Sequence, residues 1–319
     1  MKTLEQIANE IALLKSALIF CHVRPDGDTL GSGVALYLGL KQKGIDCKLV
    51  CDGEIADKYR FMPSTSEVLR PEEVKFSAEG HIAVDIPGEH MLGHCWGIYT
   101  ASQKTFCIDH HPSNSRFTKN LYLETKPANT INIYHVLEAM NVSITRDIAE
   151  AILLGIITDT GVFMHNSTSG EALTIAGKMV GLGADFHKII FNVFKNQSRE
   201  RSQLYIEVMN KMRFYLDNRL AIITIKKDQL ATYQLNEEAT EGFVDYPLTI
   251  SGVKVSVSLL QTKNELYRVS FRSNGEVNVN NVASEFGGGG HVFASGCVVA
   301  GVYEEVIEKI IRAVDINLY

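Results

Sequence analysis

Apolar positions along this chain follow two rhythms, and the changes between them mark out the elements. Leu4, Ile7, Ile11 and Leu14 recur at helical spacing in TLEQIANEIALL, with Thr3 and Gln6 placed as a capping box, so the first expected element is an amphipathic helix. SALIFCHV (16–23) is a short β-branched and aromatic run. GSGVALYLGLKQKG then has helical spacing and Gly44 as its stop, and IDCKLVC is a second strand. HIAVD (81–85) and KTFCID (104–109) add further strands, with helices expected at 129–140, 146–157 and 169–181. Strands alternating with helices imply an α/β fold with a doubly wound parallel sheet, whose ligands gather at the carboxyl ends of the strands.

From Asp185 to Tyr215 the pattern is helical with a polar break at KNQSRERSQ, and beyond it the rhythm changes. LAIITIKKDQL, VKVSVSLLQT and LYRVSFRS are strand-like, the last two joined through KNE as in a hairpin. VNVNNVASEF is expected as a short helix, GGGG as a loop and YEEVIEKIIRAV as a terminal helix. The organisation expected is a first domain over 1–187, a helical connector over 188–213 and a smaller mixed α/β domain over 214–319.

Composition narrows the function. A length of 319 residues exceeds one ordinary core, which supports two domains. The net charge of −6 argues against a basic surface tracking long DNA or RNA, because phosphate neutralisation supplies most of such affinity. Any polyanionic substrate is therefore expected to be small. The six cysteines form no CxxC pair, and Cys21, Cys47 and Cys107 lie in apolar runs, which fits a reduced, cytoplasmic setting. The charges of the first helix exclude a signal peptide, and no apolar run approaches a membrane span.

Four segments bearing acids or histidines each follow an apolar element. They are HVRPDGD (His22, Asp26, Asp28), VD (Asp85), DHH (Asp109, His110, His111) and ITDTG (Asp159). In a doubly wound sheet the first three would end on adjacent strands at one edge, with Asp159 at a helix end reaching the same cleft. Four carboxylates brought together repel and lose hydration at a cost of several kcal/mol unless cations neutralise them. Oxygen-rich donors with a minority of imidazoles and no thiolate suit Mn²⁺ or Mg²⁺, with Zn²⁺, Co²⁺ or Fe²⁺ as alternatives. The donors outnumber the needs of one ion, so two are implied. A pair roughly 3.5 to 4 Å apart can share a hydroxide nucleophile and stabilise both oxygens of a phosphoryl displacement. Asp85, alone at its strand end, is the candidate bridging carboxylate.

His90 and His94 in PGEHMLGHCW mimic a zinc helix, but the glycines on both sides favour a solvated loop. His81, His135, His165 and His187 lack evident partners and are taken as structural, and Trp96 as packing. In the second domain, FGGGGHVFASG (286–296) contains Gly287, Gly288, Gly289 and Gly290, whose main-chain N–H groups could approach an anion closely, with His291 beside them. Arg272 and Ser273, at the end of a strand, add a fork suited to phosphate.

In this order, HVRPDGDTLGS, VD, DHH, TDTGVF, SFRS and GGGGHVFASG resemble the DHH phosphoesterase superfamily, specifically members with a GGGGH-type associated domain. The likeness spans essentially the whole chain. It is strongest to stand-alone bacterial members that hydrolyse very short RNA oligonucleotides (nanoRNA) and 3′,5′-bisphosphorylated adenosine (pAp). The resemblance implies an active site in the interdomain cleft, with His22, Asp26 and Asp85 on one Mn²⁺ and Asp28, Asp85, His110 and Asp159 on the other, Mg²⁺ and Co²⁺ being alternatives. His111 would face the scissile phosphate and Asp109 would orient the histidines. Arg272, Ser273, His291 and the glycines would hold the far phosphate or terminal nucleotide. It also implies a homodimer and no membrane partner. Two departures bear on the substrate: Val292 and Phe293 follow His291, and NTINIYH (129–135) lacks an expected serine pair. Two rival readings stand beside it: a cyclic di-AMP or pApA phosphodiesterase, and a nucleotide-binding regulatory module with a relict metal site.

Overall fold

The computed structural model describes residues 1–318, which fall into two units, Met1–Asn196 and the chain from Gln197 onward. In the first unit β1 (Ser16–Phe20), β2 (Asp46–Val50), β3 (Gly80–Val84), β4 (Lys104–Asp109) and β5 (Asn120–Leu123) form one parallel sheet in the order β2-β1-β3-β4-β5. Its helices are α1 (Leu4–Ala12), α2 (Gly27–Gln42), α3 (Cys95–Ala101), α4 (Asn129–Ala139), α5 (Arg146–Asp159), α6 (Gly170–Gly181) and α7 (Phe186–Ile190), the last running into a π-helical turn at Phe191–Lys195.

The sheet is buried on both faces, as its near-continuous apolar strands require. Ala17, Ile19, Ile82, Val84, Phe106 and Ile108 join a large core with Ile7, Leu36, Leu137 and Ile152 of the helices. Leu18, Phe20, Ala83 and Cys107 join a smaller core with Leu92 and Tyr99 on the opposite side. Thr3 caps α1 as expected, exchanging hydrogen bonds with Gln6. Gly44 ends α2 at a positive φ of 75°, with its N–H on the Lys41 carbonyl.

Two differences from the expected elements matter for function. Helix α2 begins at Gly27, not at the GSG motif, because Asp26 acts as its N-cap, accepting from the N–H groups of Asp28 and Thr29 at 3.0 Å each. The strands delivering the acidic motifs, β1, β3 and β4, are adjacent as expected, but they form the centre of the sheet, with β2 and β5 outside them. Strand β5 and helix α3 were not anticipated. NLYL is too short to show a period, and CWGIYTA follows the glycines that suggested a loop.

Helices α2 and α5 approach so closely that only glycine fits between them. A Cβ on Gly31 would lie 2.4 Å from the Ala151 carbonyl oxygen, and one on Gly155 would lie 2.5 Å from Asp28 Oδ1. This contact brings the first turn of α2 beside the last turn of α5.

The second unit is a mixed sheet of β6 (Arg213–Tyr215), β7 (Leu220–Ile225), β8 (Val255–Lys263), β9 (Leu266–Ser273), β10 (Gly289–Gly290) and β11 (Ala294–Ala300), in the order β10-β11-β9-β8-β7-β6. Among the described residues of this sheet, only β7 and β8 pair in parallel. Helices α8 (Arg199–Asn210), α9 (Lys227–Thr232), α10 (Val279–Ser284) and α11 (Tyr303–Asn317) complete it. Val257, Val269 and Phe271 pack with Val282, Val306 and Ile310 on one face, and Ile223 and Leu260 pack with Leu204 and Phe243 on the other. The segment KKDQL, expected as strand, is helical, and ASGCVVA is a strand that its glycine had masked.

Candidate metal centre

The carboxyl ends of β1, β3 and β4 release His22, Asp85 and Asp109–His111, while Asp26 and Asp28 open α2 and Asp159 closes α5. The fold brings all six expected ligands together. His22 Nε2 lies 3.6 Å from Asp26 Oδ2 and 3.7 Å from Asp85 Oδ2. His110 Nε2 lies 3.3 Å from Asp85 Oδ1, 3.7 Å from Asp159 Oδ2 and 3.8 Å from Asp28 Oδ2. Asp85 thus turns one oxygen to each group, and it does so from a left-handed backbone position, φ 58°, at the end of its strand.

Donor atoms within 4.8 Å of one another form three overlapping sets: His22, Asp26 and Asp85; Asp28, His110 and Asp159; and Asp85, His110 and His111. In the third set, His111 Nδ1 already donates to Asp109 Oδ1 at 2.8 Å, so the first two sets are the free ones. His110 is aimed differently: its Nδ1 donates to the Lys126 carbonyl at 2.9 Å, which leaves the Nε2 lone pair for a cation. Asp28 is fully buried and accepts the Asn129 and Thr130 N–H groups at 2.5 and 2.9 Å, taking the N-cap role that Ala128 cannot fill for α4. The NTINIYH segment is therefore occupied with the centre itself. Asn132 of the same helix donates to the Asp109 carbonyl at 3.1 Å and to the Glu124 carbonyl at 2.9 Å.

Electrostatics support a cation at this place. Burial, reinforced by Asp28, Asp26 and Asp109, pushes the Asp85 carboxyl well above the ordinary carboxylate range. Burial and the charges of Asp28, Asp85 and Asp26 do the same to Asp159, and burial also raises Asp28, against the pull of His110. Against the effect of burial, the carboxylates of Asp28 and Asp159 raise His110, and His22 with two backbone N–H groups holds Asp26 down. Asp85 Oδ1 is buried with no hydrogen-bond partner. An orphaned carboxylate oxygen among like charges is costly in water-poor surroundings and natural beside a hard cation, so the donor set fits such an ion.

Other histidines fall outside these sets. His90 and His94 are exposed, His90 in a 3₁₀ turn and His94 just before α3, its Nδ1 2.9 Å from Asp52 Oδ2. The four histidines expected to lack partners have them: His81 meets the Tyr99 carbonyl, His135 meets Glu171, His165 meets the Asp159 carbonyl and His187 stacks on Phe191. Trp96 packs on Tyr99 and Phe117.

In the second unit, the glycines of GGGGH have structural reasons of their own. A Cβ on Gly288 would lie 2.2 Å from the Gly296 carbonyl oxygen and one on Gly290 2.5 Å from that of Ala294, so both permit the β10–β11 pairing. The N–H groups of Gly287 and Gly288 donate to the carbonyls of Ser284 and Ala283, which removes these two from the expected anion cradle, and the His291 N–H donates to the Ala294 carbonyl. Ser273 Oγ accepts the N–H groups of Gly275 and Val277, and Arg272 Nε donates to Asp245 at 3.1 Å. The His291 side chain is exposed.

Comparison with known proteins matches this arrangement. The model of the DHH family, N-terminal domain, matches residues 16–156, and that of the DHHA1 domain matches residues 221–318. Bifunctional oligoribonuclease and PAP phosphatase NrnA of Thermus thermophilus is 30% identical over 308 residues, covering 93% of this chain and 88% of its own. The chain belongs to the DHH phosphoesterase family. NrnA of Bacillus subtilis is 25% identical over 307 residues, covering 94% of this chain and 93% of its own. An exopolyphosphatase-related protein of Bacteroides fragilis superposes with a TM-score of 0.91 at 26% identity, covering 98% of this chain and 95% of that one. As a DHH phosphoesterase the chain is an enzyme of phosphate-ester hydrolysis, and its acidic and histidine donors are placed so that they could hold a metal ion.

Proposed function

We propose that this DHH phosphoesterase hydrolyses short RNA oligonucleotides to mononucleotides and removes the 3′-phosphate of pAp, using two divalent cations, Mn²⁺ in the first instance. The observation that carries the reading is the division of the donors into two sets that Asp85 joins, one oxygen toward His22 and the other toward His110. Once all are ionised, Asp26, Asp28, Asp85 and Asp159 together bear four negative charges, which two divalent ions would balance. His22, Asp26 and Asp85 are assigned to one ion, and Asp28, Asp85, His110 and Asp159 to the other. Bound there, such cations acidify a water and neutralise charge on phosphoryl oxygens.

The chain's own groups do the rest. Asp109 holds the His111 ring by Nδ1, so Nε2 is the nitrogen available to a substrate phosphate. The backbone N–H groups of α4 and the Lys126 carbonyl keep Asp28 and His110 from collapsing onto each other. On the second unit, Arg272 and His291 are assigned to substrate recognition, while Ser273 and Gly287 to Gly290 contribute by shaping the turns that carry them. The acidic net charge and the small number of recognition groups favour substrates of a few nucleotides. Six free, buried cysteines suit work in a reducing compartment such as the cytoplasm, and among the described residues no helix is long and apolar enough to cross a membrane.

A side-by-side rate measurement in Mn²⁺ on pAp, RNAs of two to five residues, pApA and cyclic di-AMP tests the assignment. Fastest turnover of pAp or short RNA at equal low concentration supports it. Fastest turnover of cyclic di-AMP would replace it with the cyclic dinucleotide reading, and nucleotide binding without phosphate release would replace it with a regulatory one.

A further inference from the structure

Asn114 stands three residues past the DHH triplet, where the sequence reads as an ordinary turn, yet its amide joins the two loops that carry the centre. The residue is buried, 7% exposed. Its Nδ2 donates to Asp109 Oδ2 at 2.7 Å and to the Ile86 carbonyl at 3.0 Å, and its Oδ1 accepts the Arg116 N–H at 2.7 Å. Ile86 directly follows Asp85, and Asp109 directly precedes His110 and His111, so one amide fixes the spacing of both loops. Asp109 is fully buried, with one carboxylate oxygen taken by Asn114 and the other by His111 Nδ1. The three side chains form a line: Asn114 stops rotation of the Asp109 carboxylate, and the carboxylate stops rotation of the imidazole.

We propose that Asn114 is a positioning residue that acts through Asp109 to keep a proton on His111 Nδ1 and so to leave Nε2 as the only ring nitrogen available to substrate. Without the amide, one oxygen of a fully buried carboxylate loses its donor, and Asp109 is free to swing toward other partners. His111 then loses its fixed tautomer and orientation. Partners of this kind around metal-site residues are worth about 10- to 100-fold in affinity or activity. The rate part of the test rests on the phosphoester-hydrolysis reading above, and the spectroscopic part does not.

The test compares the full-length parent with Asn114→Ala, Asn114→Ser and, as a control, Asn120→Ala. Asn120 also donates from a side-chain amide to a backbone carbonyl of β4, that of Thr105 at 2.9 Å, without touching Asp109. Long-range ¹⁵N–¹H spectra of ¹⁵N-histidine-labelled protein report which ring nitrogen of His111 carries a proton. The parent and Asn120→Ala are expected to show His111 protonated on Nδ1, and the Asn114 variants a mixture of tautomers. In steady-state assays the Asn114 variants are expected to lose kcat by about 10- to 100-fold with KM within about twofold, and Asn120→Ala to lose neither. A parent protein protonated on Nε2 alone would overturn the proposal whatever the variants do. So would an undisturbed Nδ1 proton in a folded Asn114 variant, or equal loss of kcat in Asn114→Ala and Asn120→Ala. Should the parent hydrolyse nothing in the substrate panel, the functional reading fails while the spectra still decide the positioning role.

Discussion

Replacing Asp85 by asparagine puts the electrostatic account of the centre at risk. Asparagine has the same shape and tolerates the left-handed backbone here, φ 58°, so the exchange removes a charge without adding strain. Donor oxygens of Asp85 and Asp26 lie within 4.8 Å of each other. At an effective dielectric constant of ~20, two unit charges at that distance repel by about 3 kcal/mol. Burial and the neighbouring carboxylates raise the Asp85 carboxyl well above its ordinary range, so the folded chain keeps a proton at a pH where the unfolded chain has released it. Stability without cations therefore falls as pH rises above the ordinary carboxylate range. In EDTA at pH 8, Asp85→Asn is expected to be more stable than the parent by about 1–3 kcal/mol, a rise in Tm of ~2–10 °C, and the gain shrinks at pH 5. In Mn²⁺ the order reverses, because the parent gains a bound state that the variant cannot form, and hydrolysis by the variant falls to background. Scanning calorimetry with EDTA or Mn²⁺ at both pH values reads these shifts. A variant less stable than the parent in EDTA at pH 8, or one that keeps the parent's Mn²⁺-induced rise, would refute the reasoning.

Gly31→Ala forces a methyl to within 2.4 Å of the Ala151 carbonyl oxygen, so α2 and α5 must separate, with an expected loss of about 1–3 kcal/mol in chemical denaturation and weaker Mn²⁺ binding by calorimetry. Mn²⁺ binding should weaken as pH falls toward the ordinary carboxylate range, because the raised Asp85 and Asp159 carboxyls then hold protons that the ion must displace. Titration calorimetry in buffers of different ionisation enthalpy counts those protons. Thr3→Ala removes the cap of α1 and is expected to cost about 0.5–2 kcal/mol of stability with kcat unchanged, which thermal melts and rate assays check together.

The acids and histidines of this centre are legible in the chain because each closes a short apolar run, and a parallel sheet sends such closures to one side. His22, Asp85 and His110 could be placed in that way, and Asp159 could be joined to them at a helix end. Their supports could not. Asn114 looks like any turn residue, and Asn129 and Thr130 act through backbone N–H groups that carry no side-chain signature. Gly31 and Gly155 matter only because two helices meet there, a fact of tertiary packing. The glycine run shows the opposite error. Its composition suggested an anion cradle, but the N–H groups of Gly287 and Gly288 bond back to the end of α10. Local composition reports what a backbone is able to do, and long-range pairing decides what it does.

The proposed ligands span residues 22 to 159, at the ends of three central strands and two helices that must all dock before any cation could meet its full set. Few of those contacts are local, so the pocket forms late along the folding route. An ion that binds only the finished arrangement cannot speed the search for it. Its effect falls on the escape rate: unfolding has to release the ions first, so Mn²⁺ should lengthen the lifetime of the native chain while leaving its folding rate nearly unchanged. A centre filled in this way would be a kinetic latch on the first unit as well as a place for chemistry.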